Sequence, residues 1–137
     1  MGVNTTKFWG ETCEIIHTPY YAKHELKLIK GGYCSLHYHK QRANRFTVKS
    51  GKVEIITCFG PTYQSQILGP DNTIVVASLV VHLFFVHADS EMDEEYYPDR
   101  GGKVARDDIV RLIEGGNIQE GKSIIDTIRD KLSGFRI

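Results

Sequence analysis

Through most of the first 98 residues, apolar and polar side chains change places every second position, the period of a strand and not of a helix. Between Asn44 and Lys49, for example, Asn44, Phe46 and Val48 share one face while Arg45, Thr47 and Lys49 share the other. The pattern predicts strands over Glu14–His17, Glu25–Ile29, Tyr33–His39, Asn44–Lys49, Lys52–Phe59, Tyr63–Leu68, Thr73–Ala77, Val80–His87 and Met92–Tyr97. Turns are expected at Ser50-Gly51, Gly60-Pro61 and Gly69-Pro70-Asp71-Asn72, where glycine, proline and Asx residues cluster. The apolar run Ile74–Val86 contains Ser78 and His82, is too short to cross a bilayer, and fits two buried strands meeting at a turn.

After Pro98 the period changes. Asp99-Arg100-Gly101-Gly102 is a polar link, and Ile118–Leu132 is expected to form a terminal helix. Its apolar stripe is Ile118, Ile124, Ile125, Ile128 and Leu132, with Gly134 suited to its C-terminal end. Residues 1–98 are therefore expected to form a barrel or sandwich of short strands, and 99–137 a link and helix packed on it or on a dimer partner, all in one domain. At 137 residues the chain can bury a core without staples.

Charge removes some functions. Lysine plus arginine and aspartate plus glutamate number 17 each, so no net field draws the chain to nucleic acid or to an anionic membrane. Cys13, Cys34 and Cys58 show no Cys-x-x-Cys spacing and suit free thiols. The N-terminus, Met1-Gly2-Val3-Asn4-Thr5-Thr6-Lys7, has no apolar stretch like that of a signal peptide, so a cytoplasmic protein is expected.

The chemistry concentrates in Gly31-Gly32-Tyr33-Cys34-Ser35-Leu36-His37-Tyr38-His39. Strand alternation puts His37 and His39 on one face, where two imidazoles can hold one metal ion, and Cys34 on the other. If Asn44 pairs near His39, its amide oxygen faces the same pocket. Tyr33 shares the histidine face, and Gln41, Arg42 and Arg45 are candidates for ligand contacts at the rim, with a solvated loop as the plainer reading. Trp9 is expected to pack rather than to stack on a ligand. Glu91, Asp93, Glu94 and Glu95 can supply a general base or form a solvated charged edge.

The spacing of Gly31, His37, His39, Asn44 and Gly51 resembles the first motif of the cupin superfamily, with Asn44 where a glutamate is usual. The stretch Ala77–His82 is similar to the second motif, keeping the histidine but not its proline and glycine. Glu95-Tyr96-Tyr97-Pro98 with Asp108-Ile109-Val110-Arg111 resembles the end of cupin modules attached to sialic acid synthases. The resemblance implies an all-β fold, an antiparallel double-sheet jelly-roll barrel here followed by a short helical extension. It also implies a divalent metal (Zn, Ni, Fe or Mn) at His37, His39, His82 and Asn44, and pairing into homodimers. His82 shares its strand face with Phe84 and Val86, whereas His87 points the other way. Three imidazoles and an amide leave the ion's charge uncompensated, which favours an anionic ligand. The functions implied are sugar, sugar-phosphate or sugar-acid isomerisation or epimerisation. The alternatives are a non-catalytic sugar-binding or regulatory module and, third, an iron-dependent dioxygenase.

Overall fold

The computed structural model describes residues 4–118 and 121–133. Eleven strands precede one helix: β1 (Asn4–Lys7), β2 (Gly10–Thr18), β3 (Tyr21–Leu28), β4 (Gly32–Tyr33), β5 (Leu36–Tyr38), β6 (Arg42–Phe59), β7 (Thr62–Leu68), β8 (Thr73–Val76), β9 (Val81–Pro98), β10 (Val110–Ile113), β11 (Gly116–Asn117) and α1 (Ile124–Ser133). Every strand pair is antiparallel. The sheet curls into a jelly-roll barrel about β9, which pairs along its length with β6 and on its other edge with β3, β4 and β5. No helix among the described residues is long and apolar enough to cross a membrane.

The two longest strands differ from the sequence expectation in the same way, because segments separated by apparent turns are single strands. Ser50-Gly51 is not a turn. β6 runs through it with register shifts at Val48/Ser50, Ser50/Lys52 and Lys52/Val53. Gly51 has φ +90° there, and a side chain would collide with Asp89 and Ser90 of β9 at 2.5 Å and 2.1 Å. The irregularity changes which positions face inward: Asn44, Phe46 and Val48 before it, Val53 and Ile55 after it, all buried. Likewise β9 continues from Val81 to Pro98 without the expected break. The expected turn before His82 is present, with Leu79 at φ +69° and its N–H donating to the His39 carbonyl at 2.7 Å.

The inward faces fill with Leu26, Phe46, Val48, Val53, Ile55 and Phe84, each nearly or wholly buried. The outer face at β4 is covered too. Tyr33 pairs with Phe85, and Lys131 of α1 lies 5.1 Å from the Tyr33 ring. Ile124 and Ile128 of α1 join the buried cluster. The helix is shorter than its apolar stripe suggested: Ser123 caps it by accepting the Asp126 N–H at 3.0 Å. Ile118 lies before it and donates its N–H to the Gly31 carbonyl at 2.8 Å. Gly134 lies outside the described residues. The segment after Pro98 does more than link. It contributes β10, which pairs with β5, and β11, which pairs with β4.

Candidate metal centre

His37 of β5 stands directly opposite His82 of β9, and His39 follows one residue after β5 ends. The three rings gather with centroid separations of 4.5, 4.9 and 5.4 Å, and one nitrogen from each falls within 4.8 Å of the others. All three residues are buried.

Each ring is fixed by its other nitrogen. Nδ1 of His37 contacts the Ser35 carbonyl at 2.6 Å, Nδ1 of His39 the Asp108 carbonyl at 2.7 Å, and Nδ1 of His82 the Val80 carbonyl at 2.9 Å. A carbonyl only accepts, so each Nδ1 carries the proton and each Nε2 keeps a lone pair, that of His82 lying 3.4 Å from Asn44 Nδ2. Arg42 Nε lies 3.3 Å from His39 Nδ1, but the shorter carbonyl contact decides the tautomer. Burial holds the imidazoles neutral. His37 is lowered to about 2 by desolvation and then by its histidine neighbours, and His39 to about 3 by desolvation and then by Arg42. His82 is lowered by desolvation as well. Three neutral rings with fixed N–H groups and converging lone pairs are what a divalent ion requires of imidazole ligands. His39 Nε2, buried without any hydrogen-bond partner, is the orphaned atom that such an ion would satisfy.

Asn44 is fully buried on β6 beside this cluster. Its Nδ2 lies 3.0 Å from Glu94 Oε2 and 3.4 Å from His82 Nε2, while its Oδ1 has no partner. The structure thus brings together His37, His39, His82 and Asn44, and adds Glu94. Glu94 is not on a solvated edge. Met92 and Tyr96, its neighbours two positions either way on β9, are both buried, so the same alternation turns Glu94 inward.

Of the three clustered histidines, His37 opens onto a cavity of about 610 Å³, into which Arg42, Glu94, Tyr96, Arg106 and Arg111 also reach. Arg42 lies with its guanidinium 3.8 Å above the Tyr96 ring and donates from Nη1 to the Ala105 carbonyl at 2.9 Å. Arg111 of β10 is the cross-strand partner of His37. The site was therefore only half visible in the histidine strand, since the wall carrying Arg106, Asp108 and Arg111 comes from the segment after Pro98.

Other expected ligand contacts do not reach this cavity. Tyr33 faces the helix, because its partner Phe85 and the His37 partner His82 are an odd number of residues apart whereas Tyr33 and His37 are an even number apart. The extra residue between β4 and β5 reverses the facing, and Cys34 lines the cavity instead. The Cys34 sulfur accepts the Phe84 N–H at 3.2 Å, and burial pushes its thiol pKa up, which suits a packing role. Arg45 points outward to Glu95, with contacts of 2.9 and 3.1 Å. Gln41 is exposed, and its backbone N–H, with those of Lys40 and Arg42, donates to the Asp108 carboxylate at 2.7 to 3.1 Å. Trp9 does line the cavity, packing edge-on against Phe84 with centroids 5.1 Å apart. His87 bonds Glu54 at 2.8 Å, away from the cluster.

No family model matches the chain, and no curated protein matches it in sequence. Solved structures do. A single-substitution variant of Bacillus subtilis oxalate decarboxylase superposes with a TM-score of 0.74 at 13% identity, over 91% of this chain and 42% of that one. Another structure of the Bacillus subtilis enzyme, from work on its Mn(II) centres, gives 0.69 at 15% identity over 81% and 30%. A Lactobacillus farciminis oxalate decarboxylase in complex with formate gives 0.68 at 14% identity over 81% and 34%. The chain spans less than half the length of these proteins. The likeness is one of fold: an antiparallel jelly-roll barrel of the cupin type.

Proposed function

We propose that His37, His39 and His82 hold a divalent metal ion through their Nε2 atoms, and that a small anionic ligand reaches it from the cavity. The observation that carries this reading is the common orientation of three neutral imidazoles, each tied by Nδ1 to a backbone carbonyl. A bound ion supplies Lewis acidity, polarising a carbonyl, hydroxyl or carboxylate oxygen of the ligand. The protein's own part is to orient and to exclude water: Arg111 beside His37 and Arg42 above Tyr96 give the wall positive charge, and Glu94 is the inward carboxylate able to accept a proton. Oxalate decarboxylases are among the solved structures of similar fold, one of them with formate bound, which supports a small carboxylate or sugar acid over a neutral sugar. Sugar-acid isomerisation or epimerisation is the narrower form of the proposal, because it needs one carboxylate to move a proton beside a polarised carbonyl. The protein is proposed to act as a homodimer.

Elemental analysis of untagged protein, expressed with Mn, Fe, Zn and Ni in turn, tests the metal. One ion per chain is expected in the wild type, and much less in His37→Ala, His39→Ala or His82→Ala. No stoichiometric ion under any of these conditions sinks the reading. A thermal-shift screen of oxalate, formate, sugar acids and sugar phosphates then identifies the ligand class, since binding to the folded state raises apparent stability even without turnover. Light scattering after size exclusion reports the dimer.

A further inference from the structure

Asn44 leaves a charge problem, because a neutral amide stands among three neutral imidazoles where a divalent ion is proposed. We infer that Glu94 solves it as a positioning residue, gripping Asn44 by Nδ2 so that Oδ1 is presented to the ion with the carboxylate's charge behind it. This rests on the reading that the histidine cluster holds a divalent ion.

The contact with Glu94 fixes which way the amide points. Nδ2 donates to Glu94 Oε2 at 3.0 Å, and its 3.4 Å approach to the lone pair of His82 Nε2 is one that gives way once that lone pair goes to an ion. Reversing the amide would set Oδ1 against a carboxylate oxygen, acceptor facing acceptor. The amide therefore stays with its nitrogen on Glu94, and the atom left over is Oδ1. Oδ1 is buried and unpartnered, as is His39 Nε2 in the same cluster. A fully buried amide oxygen without a donor is expensive unless something positive meets it.

Register explains how Glu94 comes to lie there. On β6 Asn44 faces inward two residues before Phe46, and Phe46 is the partner of Glu94 on β9, so the two side chains are diagonal neighbours on one face. The usual carboxylate is thus moved one strand over and acts through an amide, in the manner of a carboxylate that orients a metal-binding histidine. Hydrogen bonding to an anion polarises the amide and raises negative charge on Oδ1, improving a ligand that is otherwise weak.

The test uses the full chain with Co(II) as the probe ion, its affinity measured by chelator competition and its coordination by visible absorption. Glu94→Ala is expected to weaken Co(II) about ten- to a hundredfold. Glu94→Gln should lose less, because glutamine keeps an acceptor for Nδ2 but not the charge; being nearly isosteric, it also carries the test if the alanine variant does not fold. In an Asn44→Ala background, Glu94→Ala should add less than about threefold, since its route to the ion is already gone. The absorption spectrum of Glu94→Ala should shift toward that of Asn44→Ala. Retention of wild-type affinity within about twofold in both Glu94 variants overturns the inference, as does an equal loss with and without Asn44. Those two results leave the metal site standing, whereas failure of the wild type to bind Co(II) removes the site and this inference together.

Discussion

Acidification should unfold the metal-free protein through the same histidines. In the folded chain His37 titrates near 2 and His39 near 3, against 6.5 for a free histidine, and His82 is lowered as well. A histidine with a depressed folded pKa binds its proton in the unfolded state first. Its stabilising effect is therefore complete above about pH 6.5 and is lost as pH falls below that value toward the folded pKa. At 1.36 kcal/mol per pH unit, moving from pH 7 to pH 5 protonates most of an unfolded histidine and costs about 2 kcal/mol for each buried one. His37 and His39 together cost about 4 kcal/mol, a large part of the 5 to 15 kcal/mol typical of a domain, and His82 adds to the loss in the same direction. Urea unfolding of chelator-treated protein at the two pH values measures it. Carboxylates titrate in part of the same range, so the decisive comparison is with His37→Gln and His39→Gln, each of which should remove about 2 kcal/mol of the pH-dependent loss. An undiminished loss in both variants would falsify the assignment of buried neutral imidazoles. A bound ion should deepen the acid sensitivity, because protons then compete with it for Nε2.

Gly51→Ala should destabilise the fold by about 3 kcal/mol in urea unfolding, since its Cβ would strike β9 backbone and its φ is positive. Asp108→Ala should cost about 2 kcal/mol by releasing three backbone N–H groups and, by loosening the loop that holds His39, should lower metal affinity measured by titration. Arg45→Ala should leave both metal and ligand affinity unchanged by calorimetry, because its side chain is 41% exposed and engaged with Glu95 outside the barrel.

The alternation of Asn44 to Val48 and of His82 to Val86 was enough to read the barrel class and to bring two histidine strands to one face, because both stretches are regular strand. Where the backbone departs from regularity, parity arguments fail. One extra residue near Cys34 and Ser35 sends Tyr33 outward, and the β6 register shifts at Gly51 are invisible to a two-residue period. Glu94 was one of four acids that could supply a general base or form a solvated edge; Met92 and Tyr96 mark its face as buried and single it out, a distinction the run of acids hides. β1 is a polar, exposed hairpin strand with no apolar signal at all. The positions of Asp108 and Arg111 depend on pairing with β5 across more than sixty residues, which local pattern does not encode.

That distant pairing sets the order in which the protein can mature. His39 takes its tautomer from the carbonyl of a residue 69 positions later, and β5 acquires its outer partner only when β10 has been made. During synthesis, the two histidines of the first motif and then His82 emerge long before Asp108, so the nascent chain holds metal-seeking imidazoles with no fixed geometry. Closure of such long loops is slow and entropically costly. The histidine cluster in its final geometry is therefore a late product of folding, completed only after β10 has closed on β5.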